Sequence, residues 1–125
     1  MAYGDQTITL NLGHPTPATL AQWVSRHNDT VPAWLITAYN PGGEVASDAD
    51  NHAREHALAQ LLERNELRCL RAVNRDTGGN WPNEPGWLVA GLEEGMARSL
   101  GRRFGQAAIV SVQVQSVDLI WIDAD

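Results

Sequence analysis

Residues 33 to 39 read AWLITAY, and this stretch decides the fold. Apolar side chains occupy both sets of alternating positions, which is typical of a strand that is covered on both faces at the centre of a sheet. The next residues, Asn40, Pro41, Gly42 and Gly43, are strong turn formers. The pattern therefore predicts a central β-strand that runs to Tyr39 and ends in a turn.

Further elements are predicted on both sides of this strand. Before it, the pattern indicates a short strand within residues 3–12 and a helix from Pro17 to about His27. After it come a helix from Ser47, its N-cap, to about Asn65, strands at 67–73 and 86–91 separated by a loop, a helix at 93–104, and two strands between 107 and 123. This order predicts one α+β domain over residues 1–125, with three helices packed on a mixed, mostly antiparallel sheet of about five strands.

Composition excludes several classes of partner. The chain has 125 residues and a net charge of -6, and all nine of its cations are arginine, so its charge opposes binding to duplex nucleic acid. Its apolar runs are much shorter than the roughly 20 residues that cross a bilayer, so we expect no membrane partner. Cys69 is the only cysteine, which favours a reducing compartment, and we expect the protein in the cytoplasm.

A five-residue pattern on the second predicted helix resembles a zinc site. His52, Glu55 and His56 fit the H-x-x-E-H signature, in which two histidines one turn apart bind zinc and the glutamate acts as a base. At about 100° per residue, however, Leu58 and Leu62 lie on the buried stripe and both histidines point away from it. The helix phase favours solvent-exposed histidines, and we predict no metal site.

The same helix phase places two polar residues on the buried side. Asn51 and Arg54 fall on the stripe of Leu58. Burying an unpaired amide or charge costs several kcal/mol, so both side chains need partners. We expect Arg54 to meet a carboxylate, backbone carbonyl groups or an anionic ligand.

Several short motifs share the order and spacing of a known family. They are residues 36–41 (ITAYNP), Asn51 and Arg54, Trp81 with Glu84, and residues 100–106 (LGRRFGQ) with Ala108. Over residues 33–110 the sequence resembles the bacterial family catalogued as domain of unknown function 3293. The resemblance implies a small stand-alone bacterial domain and supplies no established reaction. Family motif residues map onto Tyr39, Asn40, Asn51, Arg54, Glu84 and Gln106, whereas His52 and His56 are not part of the pattern.

The motif residues predict a binding pocket, because they fall at strand ends and at a helix start, where ligand sites commonly lie. In this hypothesis Arg54 binds the anionic group of a small ligand and Glu84 is the candidate catalytic acid or base. The residues that line the site and orient the ligand are Tyr39, Asn40, Asn51 and Gln106.

Two alternatives stay open. The motif residues could form a closed structural network in which Glu84 pairs with Arg54. The chain could also be a non-catalytic protein-interaction or inhibitor module that uses its acidic surface and exposed tryptophans. No Walker loop, dinucleotide fingerprint or nucleophile elbow is present, so we predict no cofactor and leave open whether the protein is an enzyme.

Overall fold

The computed structural model describes residues 8–11, 15–27, 32–40, 46–75, 84–113 and 115–122. Its elements, in chain order, are β1 (Ile8–Asn11), α1 (Ala18–His27), β2 (Ala33–Ile36), α2 (Asp48–Arg64), β3 (Cys69–Arg75), β4 (Glu84–Val89), α3 (Glu94–Arg103), β5 (Ala108–Val112) and β6 (Val117–Trp121). Ser47 caps α2 as predicted, since its side chain accepts a hydrogen bond from the backbone N–H of Asp50. The motif residues Pro41 and Trp81 lie outside the described residues.

The strands form one sheet with the order β1-β3-β4-β2-β5-β6. β2 lies between β4 and β5, and all four of its residues are buried, which confirms the central strand. Every pairing is antiparallel except that of β1 with β3, so the predicted mixed, mostly antiparallel α+β fold is confirmed. Among the described residues the sheet has six strands rather than about five, because the short strand predicted within residues 3–12 also pairs, as β1, with β3 at the edge.

The helices cover opposite faces of the sheet. Leu58 and Leu62 of α2 pack with Trp34 and Ile36 of β2, and Ala97 of α3 belongs to the same cluster. The other face is covered by α1, whose buried residues Leu20 and Val24 join a second cluster with Ala33 and Leu35. Because side chains alternate along a strand, β2 contributes to both clusters. Among the described residues, no helix has the length and apolar character needed to cross a membrane.

β2 is shorter than the sequence predicts. It ends at Ile36 rather than at Tyr39, and the chain then leaves the ladder. The Thr37 hydroxyl donates to the backbone oxygen of Pro85 at 2.7 Å, and it also accepts from the backbone N–H of Tyr39 at 3.1 Å. These side-chain hydrogen bonds replace the ladder and turn the backbone at residues 38–40 toward α2.

β4 begins earlier than composition predicts, within the expected loop. Its first residues pair with the end of β3, so that Glu84 lies opposite Asn74. A Cβ atom on Gly86 would lie 2.5 Å from the backbone oxygen of Ile36, which explains why glycine occupies this position. Cross-strand pairing with β3 therefore overrides the local proline and glycine signals and carries Glu84 into the sheet.

Candidate functional site

The first turns of α2 carry the predicted polar residues on the buried side. Asn51 is buried with only 4% of its surface exposed, Arg54 is half-buried, and Leu58 is fully buried further along the stripe. His52 and His56 are exposed, as the helix phase predicts. The described residues hold no group of three or more His, Cys, Asp or Glu side chains that could bind a metal ion.

Two amide side chains bind each other where the chain leaves β2. Asn40 has a left-handed backbone with φ of 46°, and its N–H donates to Asn51 Oδ1 at 2.9 Å. Asn51 Nδ2 donates in turn to Asn40 Oδ1 at 2.9 Å, and that oxygen also accepts the backbone N–H of Ala46 at 3.0 Å. Asn51 thus fixes both the backbone and the side chain of Asn40 in a buried position.

This pairing dictates which way the Asn40 amide points. Its oxygen already accepts two N–H groups, so its Nδ2 must face the opposite side, where it donates to Glu84 Oε2 at 3.1 Å. Burial raises the pKa of the Glu84 carboxyl above its ordinary value, and the Asn40 hydrogen bond acts in the opposite direction. Glu84 is therefore a half-buried carboxyl with one oxygen held in place by the asparagine pair.

Arg54 does not bind Glu84, and the hypothesis that these two residues form an ion pair is wrong. Its Nε donates to the backbone oxygen of Ala38 at 3.1 Å and its Nη2 to that of Phe104 at 2.6 Å. One helical turn beyond Asn51, the long side chain reaches the end of α3 instead of the start of β4. Arg54 therefore ties α2 both to residues 38–40 and to the residue that follows α3.

Gln106 completes the set of contacts around residues 38–40. Its Nε2 donates to the backbone oxygen of Tyr39 at 2.9 Å and to that of Phe104 at 3.3 Å. Arg54 and Gln106 thus share the Phe104 oxygen as an acceptor. All the predicted polar residues meet around the backbone of residues 38–40, where the hydrogen bonds link protein groups to one another.

The Tyr39 side chain lies in a charged cluster that the sequence motifs do not reveal. Burial raises the pKa of its hydroxyl, Glu55 raises it further, and Arg71 acts in the opposite direction. Arg71 forms an ion pair with Glu55, and its guanidinium lies over the ring of Trp87 at 4.7 Å from the centroid. Opposite strand positions bring Arg71 and Trp87 together, so their contact depends on the β3–β4 register.

Arg54 also faces a groove that sequence reasoning missed. The α2–α3 groove is lined by Ala53, Arg54, Ala57, Gln60, Leu61, Arg64, Arg103 and Phe104, and its volume is about 420 Å³. Its lining contains three arginines and no carboxylate. Helix phase could have revealed one of them, because at about 100° per residue Arg64 projects within about 20° of Ala53 and Ala57, on the side of α2 next to Arg54. Arg103 belongs to α3, and only the packing of the helices brings it to this surface.

Cys69 is a buried residue of β3, and its Sγ donates to the backbone oxygen of Leu67 at 3.2 Å. Burial raises the pKa of its thiol. A raised thiol pKa disfavours the nucleophilic thiolate, which agrees with a packing role for this cysteine.

Fold and site together define a small α+β domain in which the motif residues converge on one backbone segment beside an arginine-lined groove. The chain belongs to the family described as Protein of unknown function (DUF3293), whose model matches residues 36–109. That range begins at Ile36, the last residue of β2, and includes both helices of the groove and each motif residue of the network. No curated protein and no solved structure matches the chain.

Proposed function

We propose that this protein binds a small anionic molecule in the α2–α3 groove. The main observation in support of this proposal is the charge of the groove. Its lining has three arginines and no carboxylate, although the net charge of the chain is -6. A local concentration of cations in an acidic protein attracts anions to that place. The groove volume of about 420 Å³ falls within the roughly 300–1,000 Å³ that is typical of small-molecule sites.

The state of the arginines supports this proposal. Arg64 and Arg103 are exposed, and neither has a hydrogen-bond or ion-pair partner among the residues that the structure describes. Arg54 is already oriented by the Ala38 and Phe104 oxygens, and its Nη1 has no partner within the same ranges. Unpaired guanidinium groups are planar donors that suit carboxylate and phosphate oxygens.

The helix ends beside the groove could weaken anion binding, because a helix C-terminus carries partial negative charge. In this protein those carbonyl groups already accept hydrogen bonds. Leu61 O accepts from Asn65, and Gly101 O accepts from the backbone N–H groups of Phe104 and Gln106. The Phe104 oxygen accepts from Arg54 as well. These carbonyl oxygens therefore already have donors within the protein, which leaves the Arg64 and Arg103 guanidinium groups available to a ligand.

In this proposal the anion is bound by Arg54 together with Arg64 and Arg103, which revises the ligand set expected from the sequence. Asn40, Asn51 and Gln106 hold residues 38–40 in place and so fix one acceptor of Arg54. Tyr39 belongs to that segment through its backbone oxygen. Glu84, the candidate acid or base expected from the sequence, is held by one Asn40 hydrogen bond and does not line the groove, so the proposal assigns it no contact with the anion.

Anion titration of the whole chain tests the proposal. We expect inorganic phosphate, added at low ionic strength, to shift the backbone amide resonances of Ala53, Ala57 and Leu61 in ¹⁵N-HSQC spectra. The double variant Arg64→Ala/Arg103→Ala should bind at least tenfold more weakly. Arg26→Ala removes one exposed cation from α1, on the other face of the sheet, and this variant should bind phosphate as the parent does. Equal phosphate binding by the double variant and the parent would contradict the proposal.

A protein-interaction module is the second candidate, favoured by one observation on β6. Leu119 and Trp121 are 39% and 52% exposed on this edge strand, and alternation places them on the same face. If this surface binds a protein, an identified partner must lose affinity for Trp121→Ser and retain it for Arg64→Ala. The opposite pattern would assign that partner to the groove.

We also propose a bacterial, cytoplasmic setting. The family resemblance supports the first part, and the buried Cys69, the one cysteine of the sequence, supports a reducing compartment. Cell fractionation of the native host, with detection of the untagged protein by antibody, is the corresponding measurement. Recovery of the protein in the periplasmic or extracellular fraction would contradict the cytoplasmic part.

A further inference from the structure

The surface of the α2–α3 groove is mixed in character, which bears on the kind of anion that fits it. Between the arginines lie the side chains of Ala53, Ala57, Leu61 and Phe104. A bare inorganic anion would contact the guanidinium groups and leave this apolar floor in water. From this combination we infer that the groove takes an organic anion with an apolar body, such as an aryl or alkyl phosphate. This inference rests on the proposed function and specifies its ligand class.

The apolar floor follows from the residues of α2 that face α3. Ala53, Ala57 and Leu61 recur at intervals of four, so they form one strip along the helix. The methyl groups of the two exposed alanines leave room above the helix, and Phe104 forms the facing wall after α3. A flat or slender apolar group lying on this strip would displace water from both sides.

The arginines mark where the anionic group lies. Arg54 uses Nε and Nη2 on backbone oxygens, so only part of its guanidinium remains for a ligand. Arg64 lies ten residues later on α2, roughly 15 Å along the helix axis. None of its guanidinium nitrogens has a partner within the described residues. Arg103 is free in the same sense. Arg64 or Arg103 can therefore form bidentate hydrogen bonds with a phosphate or carboxylate group, while Arg54 contributes its oriented Nη1.

Three probes separate the contributions of charge and of apolar surface. Inorganic phosphate carries the anionic group alone, phenol carries the apolar ring alone, and phenyl phosphate carries both. We expect phenyl phosphate to bind at least tenfold more tightly than inorganic phosphate, because the ring removes apolar surface from water. Phenol should bind more weakly than either. Amide shifts of Ala53, Ala57 and Leu61 give the three dissociation constants at the same sites.

The outcomes distinguish this inference from the proposed function. Equal affinity for inorganic and phenyl phosphate would overturn the organic-anion inference and leave anion binding intact. Phenol binding as tightly as phenyl phosphate would overturn both, since charge would then contribute nothing. Absence of shifts with every probe would likewise contradict both statements.

A variant on the groove floor gives an independent test. Ala57→Glu puts a carboxylate on an exposed helical position where glutamate is well tolerated, so the fold should persist. We expect Ala57→Glu to lower the affinity for phenyl phosphate at least tenfold. Ala57→Gln is the matched control of similar size and should bind several-fold more tightly than Ala57→Glu. If both variants bind phenyl phosphate as the parent does, the ligand does not lie on the α2 strip and the inference fails.

Discussion

Asn51 binds both the backbone N–H and the side-chain oxygen of Asn40, at 2.9 Å in each case. The pair joins the start of α2 to the end of the segment that follows β2. Because Asn40 has a left-handed backbone with φ of 46°, these hydrogen bonds hold a conformation that few residues adopt without support. Asn40 in turn donates to Glu84. The orientation of this half-buried carboxyl therefore depends indirectly on Asn51, which is not its hydrogen-bond partner.

Removal of this support should be costly. We predict that Asn51→Ala lowers the free energy of unfolding by about 2 to 4 kcal/mol, because it leaves the buried N–H of Asn40 without its acceptor. Urea unfolding followed by circular dichroism measures the change. Asn65→Ala, at the exposed end of the same helix, removes only the hydrogen bond to Leu61 O and should cost about 1 kcal/mol or less. Similar losses for the two variants would contradict a special role for Asn51.

Glu84 should make stability depend on pH in a definite direction. Burial raises its pKa in the folded state above the ordinary value of 4.5, so the folded protein holds this proton more tightly than the unfolded chain. Its contribution to stability is therefore largest near or below pH 4.5 and is lost as pH rises through the folded pKa. Glu84→Gln keeps an oxygen for Asn40 and removes the charge, so it should be as stable as the parent or more stable at pH 8.

The comparison with Glu84→Gln is made by urea unfolding between pH 4 and pH 8. The difference in unfolding free energy between variant and parent should shrink as pH falls. Glu63→Gln, at an exposed position of α2, is the charge-matched control. A parent that gains stability relative to Glu84→Gln as pH rises would show that the carboxylate is stabilised by the fold, which is the opposite of this prediction.

Two glycines should respond in opposite ways to alanine. A Cβ on Gly86 would lie 2.5 Å from the Ile36 oxygen, a backbone atom that cannot move without disturbing β2, so Gly86→Ala should cost at least about 2 kcal/mol. A Cβ on Gly95, in the first turn of α3, meets no atom within 4 Å. Gly95→Ala should therefore stabilise the protein by about 0.5 to 1 kcal/mol. Thermal unfolding of both variants checks the contrast, and tolerance of Gly86→Ala would mean that β2 and β4 separate easily.

Periodicity predicts which way α2 faces but not what its side chains bind. The helix phase correctly places Asn51 with Leu58 on the buried side and exposes His52 and His56. It also requires a partner for Arg54, yet the partners are backbone oxygens 16 and 50 residues away. Backbone carbonyl groups occur at every residue and leave no mark in the sequence, so only the packing of α2 against α3 selects them.

The register of β3 and β4 could not be predicted from the sequence for a similar reason. Proline, glycine and asparagine around Glu84 favour a loop locally, whereas the structure pairs Glu84 with Asn74. Long-range strand pairing decides this case, and it also brings Arg71 over Trp87. The family resemblance identified the residues of the network, but it could not show that they bind one another and leave the open surface to Arg64 and Arg103.

The contacts of Arg54 give the sharpest prediction, because two hypotheses assign it different partners. If Arg54 acted through Glu84, removal of either would affect the other. The structure instead joins Arg54 to Gln106, since both donate to the oxygen of Phe104. We predict that Arg54→Met lowers the free energy of unfolding by about 2 to 3 kcal/mol, because two backbone oxygens lose a charged donor. Methionine keeps most of the apolar stem of Arg54, so packing changes little.

Two double-mutant cycles, measured by urea unfolding, decide between the partners. Arg54→Met combined with Gln106→Ala should deviate from additivity by about 0.5 kcal/mol or more, because each single variant leaves the shared oxygen with one remaining donor and only the double variant removes both. Arg54→Met combined with Glu84→Gln should be additive within about 0.3 to 0.5 kcal/mol, since Asn40 and not Arg54 is the donor to that carboxyl. The reverse result, coupling with Glu84 and additivity with Gln106, would restore the ion pair and remove Phe104 O as the point where α2 and the end of α3 are joined.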